Sequence, residues 1–440
     1  MLNRLRNYTF WRLDKIKGSK VTKAYKELEY YFNKDNDSVE LKRYIEKKIK
    51  ILLQNATNNT DYYKYLNGNN HLEDFPVINK KIINQQQERF LSSKYEQKKL
   101  FTMSTSGSTG TPFTSYQNVE KKRKVNAETI FFNGLAGYNV GYKFINLRSQ
   151  NLKNKKSKIK QFIQNNSQVN IEKLDTTSVS EICAEIENIT KKEKGTILSY
   201  ASTLDAIANY FLNDKSSYIR KWKINGIIST SEILIDSTRD IIMDQFNTNC
   251  YSRYANMENG ILGQDAPEHT NTFVLNECHY YFEILKMDSD EPASLGELGR
   301  IVVTDLYNYA MPMIRYDTGD VGTFQYQQIN GINKKVIMNF GGRQIDMIYD
   351  TKGAFVSPHK LSVMFWGIEN VEEFQFIQKD QKQYKVLLNV YNTFKHDKEL
   401  IKILKGVLGN DAEIKIHQVK EIPKLKSGKS KYIMNEMSQN

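Results

Sequence analysis

Gly195-Thr196-Ile197-Leu198-Ser199-Tyr200 and Gly226-Ile227-Ile228-Ser229-Thr230 are the stretches on which the reading of the fold turns. Each is a short apolar run entered from glycine and left through hydroxylated residues, the pattern of a buried strand. Each is followed by a segment of helical character, about Ser202 to Leu212 and Asp236 to Phe246. A strand then a helix, repeated, predicts an α/β fold in layers.

Outward from this pair, Lys143-Phe144-Ile145-Asn146-Leu147 is a further strand. Residues 1–66 read as helical, Asn67 to Asn70 as a polar turn, and Val119 to Phe132 as a helix broken by Gly134-Leu135-Ala136-Gly137. Residues 272–348 are richer in strands and turns. Val371 to Ile377 and Tyr384 to Val390 read as paired strands, and Glu399 to Leu408 as a helix. The Gly341-Gly342-Arg343 turn is the expected boundary between a large N-terminal domain, 1–342, and a small α+β C-terminal domain, 343–440. No internal repeat interrupts this plan.

Composition narrows the function. A chain of 440 residues with 12% aromatics has ample material for a core. The net charge of +13 suits an anionic partner, or is spread over solvated helices. The densest cluster, Lys153, Lys155, Lys156, Lys158 and Lys160, lacks interleaved aromatics, so nucleic acid is not the expected partner. Three scattered cysteines argue against a disulfide framework and for a reducing, cytoplasmic setting. Cys250, His269, Cys278 and His279 are the side chains that could converge on zinc, but no C-x-x-C pair supports it. No apolar run reaches the ~18 residues of a membrane span and no secretory h-region opens the chain, so a soluble or peripheral protein is expected. Leu2, Leu5, Trp11, Leu13 and Ile16 alternate with Arg4, Arg6, Arg12, Lys15 and Lys17. This basic amphipathic opening either docks on its own domain or lies on the inner face of an anionic membrane.

The candidate chemistry begins at Met103-Ser104-Thr105-Ser106-Gly107-Ser108-Thr109-Gly110-Thr111-Pro112, where six of ten residues carry hydroxyls and none is charged. Such a run builds no core. Gly107 and Gly110 let successive amides turn toward an anion, and the hydroxyls add donors. Strand-like flanks make the loop the tip of a hairpin, and the absence of Gly-Lys-Ser/Thr separates it from a Walker loop. Four further stretches suit a nucleotide. Thr230-Ser231-Glu232 follows a buried strand, where parallel strands meet ligands. Tyr254-Ala255-Asn256-Met257-Glu258 offers an aromatic face and, one helical turn on, a carboxylate. Arg315-Tyr316-Asp317-Thr318-Gly319-Asp320 joins a glycine turn to an acid able to accept two ribose hydroxyls. Pro423-Lys424-Leu425-Lys426-Ser427-Gly428-Lys429 sets a lysine after a flexible turn.

In this order the five segments resemble the adenylate-forming superfamily, nearest the phenylacetate–CoA ligase family and its CapK-type branch linked to capsular polysaccharide synthesis. Phe10 to Gly18 and Ser199-Tyr200-Ala201-Ser202 resemble that branch too, so the likeness spans essentially the whole chain. It implies a mobile C-terminal domain and ATP, Mg²⁺ and a carboxylic acid as ligands, with a CoA thiol or an amine, such as that of a sugar in surface polysaccharide synthesis, as acceptor. Thr105, Ser106, Gly107, Ser108, Thr109, Gly110 and Thr111 would hold the phosphates. Thr230, Ser231 and Glu232 would line adenine, with Tyr254 stacked on it. Asp320 would take the ribose, Arg343 the ribose or phosphate, Glu258 the Mg²⁺, and Lys429 would be catalytic. Two positions depart from the pattern: Ile345 stands where many relatives carry the hinge acid, and Phe113 where a lysine often follows the loop proline. The first favours the alternative of a non-catalytic nucleotide-binding or membrane-peripheral scaffold.

Overall fold

The computed structural model describes the chain apart from residues 70, 106–112, 149–156, 172–173, 175, 214–221, 344–346, 357–360, 362–363, 366–370, 391–393, 423–431 and 438–440. Ser106 to Thr111, Lys153, Lys155, Lys156, Ile345 and Lys429 therefore lie outside the described residues, as do the side chains of Thr105 and Arg343. The chain forms two compact units, residues 1–142 with 251–340 and residues 143–250 with 341–440.

The first unit opens with helices α1 (Leu2–Ile16), α2 (Lys20–Phe32) and α3 (Val39–Asn59). Ser38 caps α3 by accepting from the Leu41 amide at 3.2 Å, and Leu41, Leu52, Leu53 and Ala56 give it a buried stripe. After the short α4 (Lys80–Gln85), β1 (Phe101–Thr105) and β2 (Phe113–Gln117) pair antiparallel around the hydroxyl-rich segment, as the sequence predicts. Helix α5 (Val119–Leu135) runs through Gly134 and ends inside the 134–137 stretch, as expected. It stops where Gly137 turns left-handed at φ 79°, a conformation glycine adopts without strain.

The second unit follows with β3 (Lys143–Arg148), α6 (Lys158–Gln164), β4 (Asn166–Asn170), α7 (Thr176–Thr190), β5 (Gly195–Tyr200), α8 (Ala201–Asn213), β6 (Ile224–Thr230) and α9 (Asp236–Phe246). Its strands run parallel in the order β6-β5-β3-β4. Ile145, Ile197 and Ile227 from the strands pack with Ile186, Leu204 and Ile242 from the helices, the layered core that the opening motif predicts. The edge strand β4 was not legible because Asn-Ser-Gln-Val-Asn has no apolar run.

Returning to the first unit, β7 (Cys250–Asn256), β8 (Gly260–Ala266), β9 (His269–Leu275), β10 (Tyr280–Leu285), β11 (Gly299–Asp305), β12 (Tyr316–Ile329) and β13 (Ile332–Arg343) form an antiparallel array in the order β10-β11-β12-β13-β9-β8-β7. Asn330 and Gly331, with φ 51° and 77°, make the tight turn between β12 and β13. The last part of the second unit contains β14 (Ile348–Tyr349), β15 (Phe355–Val356), β16 (Val371–Gln378), β17 (Gln383–Val390), α10 (Asp397–Leu408), β18 (Glu413–Val419) and β19 (Ile433–Asn435). The strands β16 and β17 pair antiparallel, as expected. Leu400, Leu404 and Leu408 bury the face of α10 against Phe376, Val386 and Leu388.

Candidate active site

Within the first unit, the carboxylates expected at ribose and metal both hydrogen-bond to residues tied to β12, Asp320 from the strand itself and Glu258 from the β7–β8 turn. On β12, Tyr316, Thr318 and Asp320 alternate with Asp317 and Gly319, so their side chains share a face. The Tyr254 hydroxyl on β7 donates to Asp320 Oδ2 at 2.9 Å and lies 3.2 Å from Thr318 Oγ1. Thr318 in turn donates to the Ile301 carbonyl at 2.9 Å, which fixes its rotamer. Gly319, at φ 76°, permits the local bend that brings Asp320 back to that face. Tyr254 is a strand residue and Glu258 sits in the β7–β8 turn, so the helical spacing read between them is not the geometry that relates them. The Tyr254 ring packs against Phe340 and Phe273 at centroid distances of 4.8 and 6.1 Å. The residue is 5% exposed, so its ring offers little open face to solvent.

Glu258 is 2% exposed. Its Oε1 accepts from the Tyr316 hydroxyl at 2.7 Å and lies 3.0 Å from Lys80 Nζ. Its Oε2 is buried and has no hydrogen-bond partner among the described residues. Lys80 is not legible as a site residue from the sequence, because its placement is tertiary. Ile78 bridges to Tyr316, with Ile78 N–H donating to Arg315 at 3.0 Å and Asp317 N–H to Ile78 at 2.7 Å. Asn79 then caps α4 by accepting from Ile82 N–H at 3.0 Å, and Lys80, the first helical residue, is delivered beside Tyr316. Mg²⁺ is commonly held by one or two carboxylates and completed by phosphates and water. The unpartnered Oε2 fits that demand, with Lys80 offsetting the remaining charge.

Beneath the Glu258 turn lies a buried polar network that the sequence reading missed. Glu128 on α5 is fully buried and accepts from Ile261 N–H at 3.1 Å, Tyr280 OH at 2.9 Å and His279 Nδ1 at 2.7 Å. The Tyr280 hydroxyl also lies 2.8 Å from the Asn259 carbonyl and accepts from Lys121 Nζ at 2.9 Å. Lys121 pairs with Asp305 at 2.7 Å, both fully buried. Burial alone would raise the Glu128 carboxyl, but the Lys121 charge and the His279 and Ile261 hydrogen bonds outweigh it and hold it below the usual range. Burial pulls the His279 imidazole down to about 4, so it is neutral near pH 7 and donates from Nδ1. A Cβ on Gly260 would meet Glu128 Oε2 at 2.5 Å, so glycine is required where the turn crosses this network.

The second unit holds the other expected segment at the carboxyl ends of parallel strands. Thr230 closes β6 opposite Tyr200 and is buried. Ser231 has φ 74°, an unusual value for a residue other than glycine and one that recurs at functional turns. Glu232 Oε2 accepts from Ser202 N–H at 2.9 Å, satisfying a free amide in the first turn of α8. One turn along α8, Asp205 accepts from the hydroxyls of Thr238 and Tyr432. Burial, aided by the Glu232 charge, pushes the Asp205 carboxyl up to about 7 against those hydrogen bonds. Because its folded pKa exceeds the ordinary unfolded value, its stabilising contribution is complete below about pH 4 and is lost as pH rises through about 7. Asp205→Asn is therefore expected to gain thermal stability relative to the parent on going from pH 5 to pH 8, measured as paired melting temperatures. A constant difference across that range would remove the linkage.

Cys250 is buried in the core of the second unit and Cys278 in that of the first, where its thiol faces Tyr44, while His279 is committed to Glu128. Among the described residues no group of three or more His, Cys, Asp or Glu is placed to hold a metal ion.

Comparison with known proteins places this geometry. A family model described as the CapK C-terminal domain matches residues 348–436. Protein CapK of Staphylococcus aureus is 24% identical over 384 residues, covering 83% of this chain and 81% of that protein. The phenylacetate-coenzyme A ligase of Thermus thermophilus is 28% identical over 147 residues, 32% of this chain and 33% of that protein. Among solved structures, a 2-hydroxyisobutyryl-CoA ligase in the postadenylation state with 2-HIB-AMP superposes with a TM-score of 0.73 at 13% identity, covering 92% of both chains. The chain is thus similar in sequence to CapK over most of its length, its residues 348–436 match the CapK C-terminal domain model, and its fold is that of the adenylate-forming ligases.

Proposed function

We propose that the chain uses ATP to activate a carboxylic acid as an acyl-adenylate, with release of pyrophosphate, and then transfers the acyl group to an acceptor thiol or amine. The observation that carries this reading is the alignment of Glu258 and Asp320 along one face of β12 through Tyr316, Thr318 and Tyr254. Asp320 would orient the ribose and Glu258 Oε2 would hold Mg²⁺, which neutralises phosphate charge when bound. Thr105 to Thr111 would wrap the phosphates, Thr230 to Glu232 would border the base, and Arg343 would assist at the ribose or phosphate.

The substrate carboxylate attacks the α-phosphorus in line with departing pyrophosphate. Two anions must approach, so positioning and charge stabilisation do most of the work. Lys429 is the cation assigned to bridge them. Lys429→Ala is expected to lower acid-dependent ATP–pyrophosphate exchange by about 10²-fold or more. Exchange at the parental rate removes Lys429 from the mechanism.

The likeness to CoA ligases favours a CoA thiol as acceptor, and the likeness to CapK favours an amine, such as that of an amino sugar in a surface polysaccharide. The mass of the product formed from the adenylate with CoA or with amino sugars separates them. A scaffold that binds nucleotide without chemistry is the reading that Ile345 favours. It predicts ATP binding without exchange across a panel of carboxylic acids.

A further inference from the structure

Helix α1 docks on its own unit by the face that amphipathicity would not select. Asn3, Arg6, Asn7, Phe10, Trp11 and Asp14 recur at helical spacing and are the residues turned inward. Asn7 donates to the Val140 carbonyl at 3.0 Å, and Trp11 meets Tyr25 edge-on at 6.2 Å. Asp14, the only acid in the helix, accepts from Val21 N–H at 3.0 Å and from Thr22 N–H and Oγ1 at 2.9 and 2.6 Å. The opposite face is apolar and open to solvent: Leu2, Leu5, Leu13 and Ile16 are 48, 57, 50 and 80% exposed. With Thr9 they follow the three- and four-residue spacing of one stripe. Arg12 is exposed at its border and lies against Tyr8 with Nε 2.6 Å from the hydroxyl, and Arg4, Lys15 and the C-cap Lys17 are exposed nearby on the same helix and its end.

We propose that this outward face of α1 is a docking surface for an anionic lipid bilayer, with Leu2, Leu5, Leu13 and Ile16 entering the headgroup boundary and the flanking cations meeting the headgroups. An apolar stripe bordered by Arg and Lys is the composition that lies in a membrane interface. The inward turn of Asp14, the only acid in α1, leaves the exposed faces of the helix itself without a carboxylate. Charge decides against a second copy of the chain as the occupant. A self-complementary contact would set the same cationic borders near each other, whereas anionic headgroups neutralise them.

The test is flotation of the full chain with vesicles of phosphatidylcholine alone or of phosphatidylcholine with phosphatidylserine, at low and physiological salt. The expected result is binding to the anionic vesicles that weakens with salt. Leu5→Asp and Ile16→Asp should each lower it by about 10-fold, and Arg4→Gln and Arg12→Gln each by about 5-fold. These side chains are exposed, so the unfolding curves of the variants should match the parent. Three results overturn the proposal: no flotation, equal flotation with neutral vesicles, or a dimer in light scattering that Leu5→Asp dissociates. A fourth is binding that survives these substitutions but is lost on Phe162→Glu, which would move the surface to α6 and its exposed Ile159, Phe162 and Ile163.

Discussion

Glu258→Gln is expected to lower Mg²⁺-dependent, acid-stimulated ATP–pyrophosphate exchange by about 10²- to 10³-fold, the size of effect seen when one positioned transition-state charge is deleted. The substitution keeps the shape of the side chain and an oxygen able to accept from Tyr316. It removes the negative charge offered by the unpartnered Oε2. Lys80 is 30% exposed in its side chain and reaches water once the ion pair is gone, so the fold should tolerate the change. The Mg²⁺ dependence of the residual exchange is the discriminating measurement. A metal ligand lost from this position raises the Mg²⁺ concentration needed for half-maximal exchange, whereas a merely structural residue leaves it unchanged. Parental exchange at every Mg²⁺ concentration would take Glu258 out of the site.

The second large effect concerns stability. Glu128→Ala is expected to cost about 3–5 kcal/mol, because it removes the acceptor shared by three buried donors while Lys121 stays behind in the interior. Ile261 N–H, His279 Nδ1–H and the Tyr280 hydroxyl would then compete for the Asn259 carbonyl and for what water enters the space. Urea unfolding of the full chain measures the cost, and a change below 1 kcal/mol would show that the network is weakly coupled to folding. Because Tyr280 also lies 2.8 Å from the Asn259 carbonyl, next to Glu258, the variant should also raise the Mg²⁺ requirement of exchange below its melting range.

The expected segments met different fates for one physical reason. Tyr254, Glu258 and Asp320 were recognisable as chemistry-bearing side chains because short motifs keep their residue types in view. Their relation was not readable as a spacing along one helix, since Tyr254 is on a strand and Glu258 on a turn, and each finds its partner on β12. The carboxylate of Glu232 caps the first turn of α8, a hydrogen bond that no motif announces. The opening helix was readable as basic and amphipathic, but which face would be buried was not.

By itself the sequence determined the alternation of apolar strands and helices around β5 and β6, the paired strands β16 and β17, and the polar residue types of the site. Periodicity and residue chemistry are local properties, carried by neighbours along the chain. Tertiary structure alone decided that Lys80 reaches Glu258, that Glu128, His279, Tyr280 and Lys121 close beneath the Glu258 turn, and that Asp205 meets Tyr432. It also turned Asp14 inward and the leucine stripe of α1 outward. Each of these depends on the pairing of segments distant along the chain, where burial forces polar groups to find partners that nothing in their sequence neighbourhood specifies.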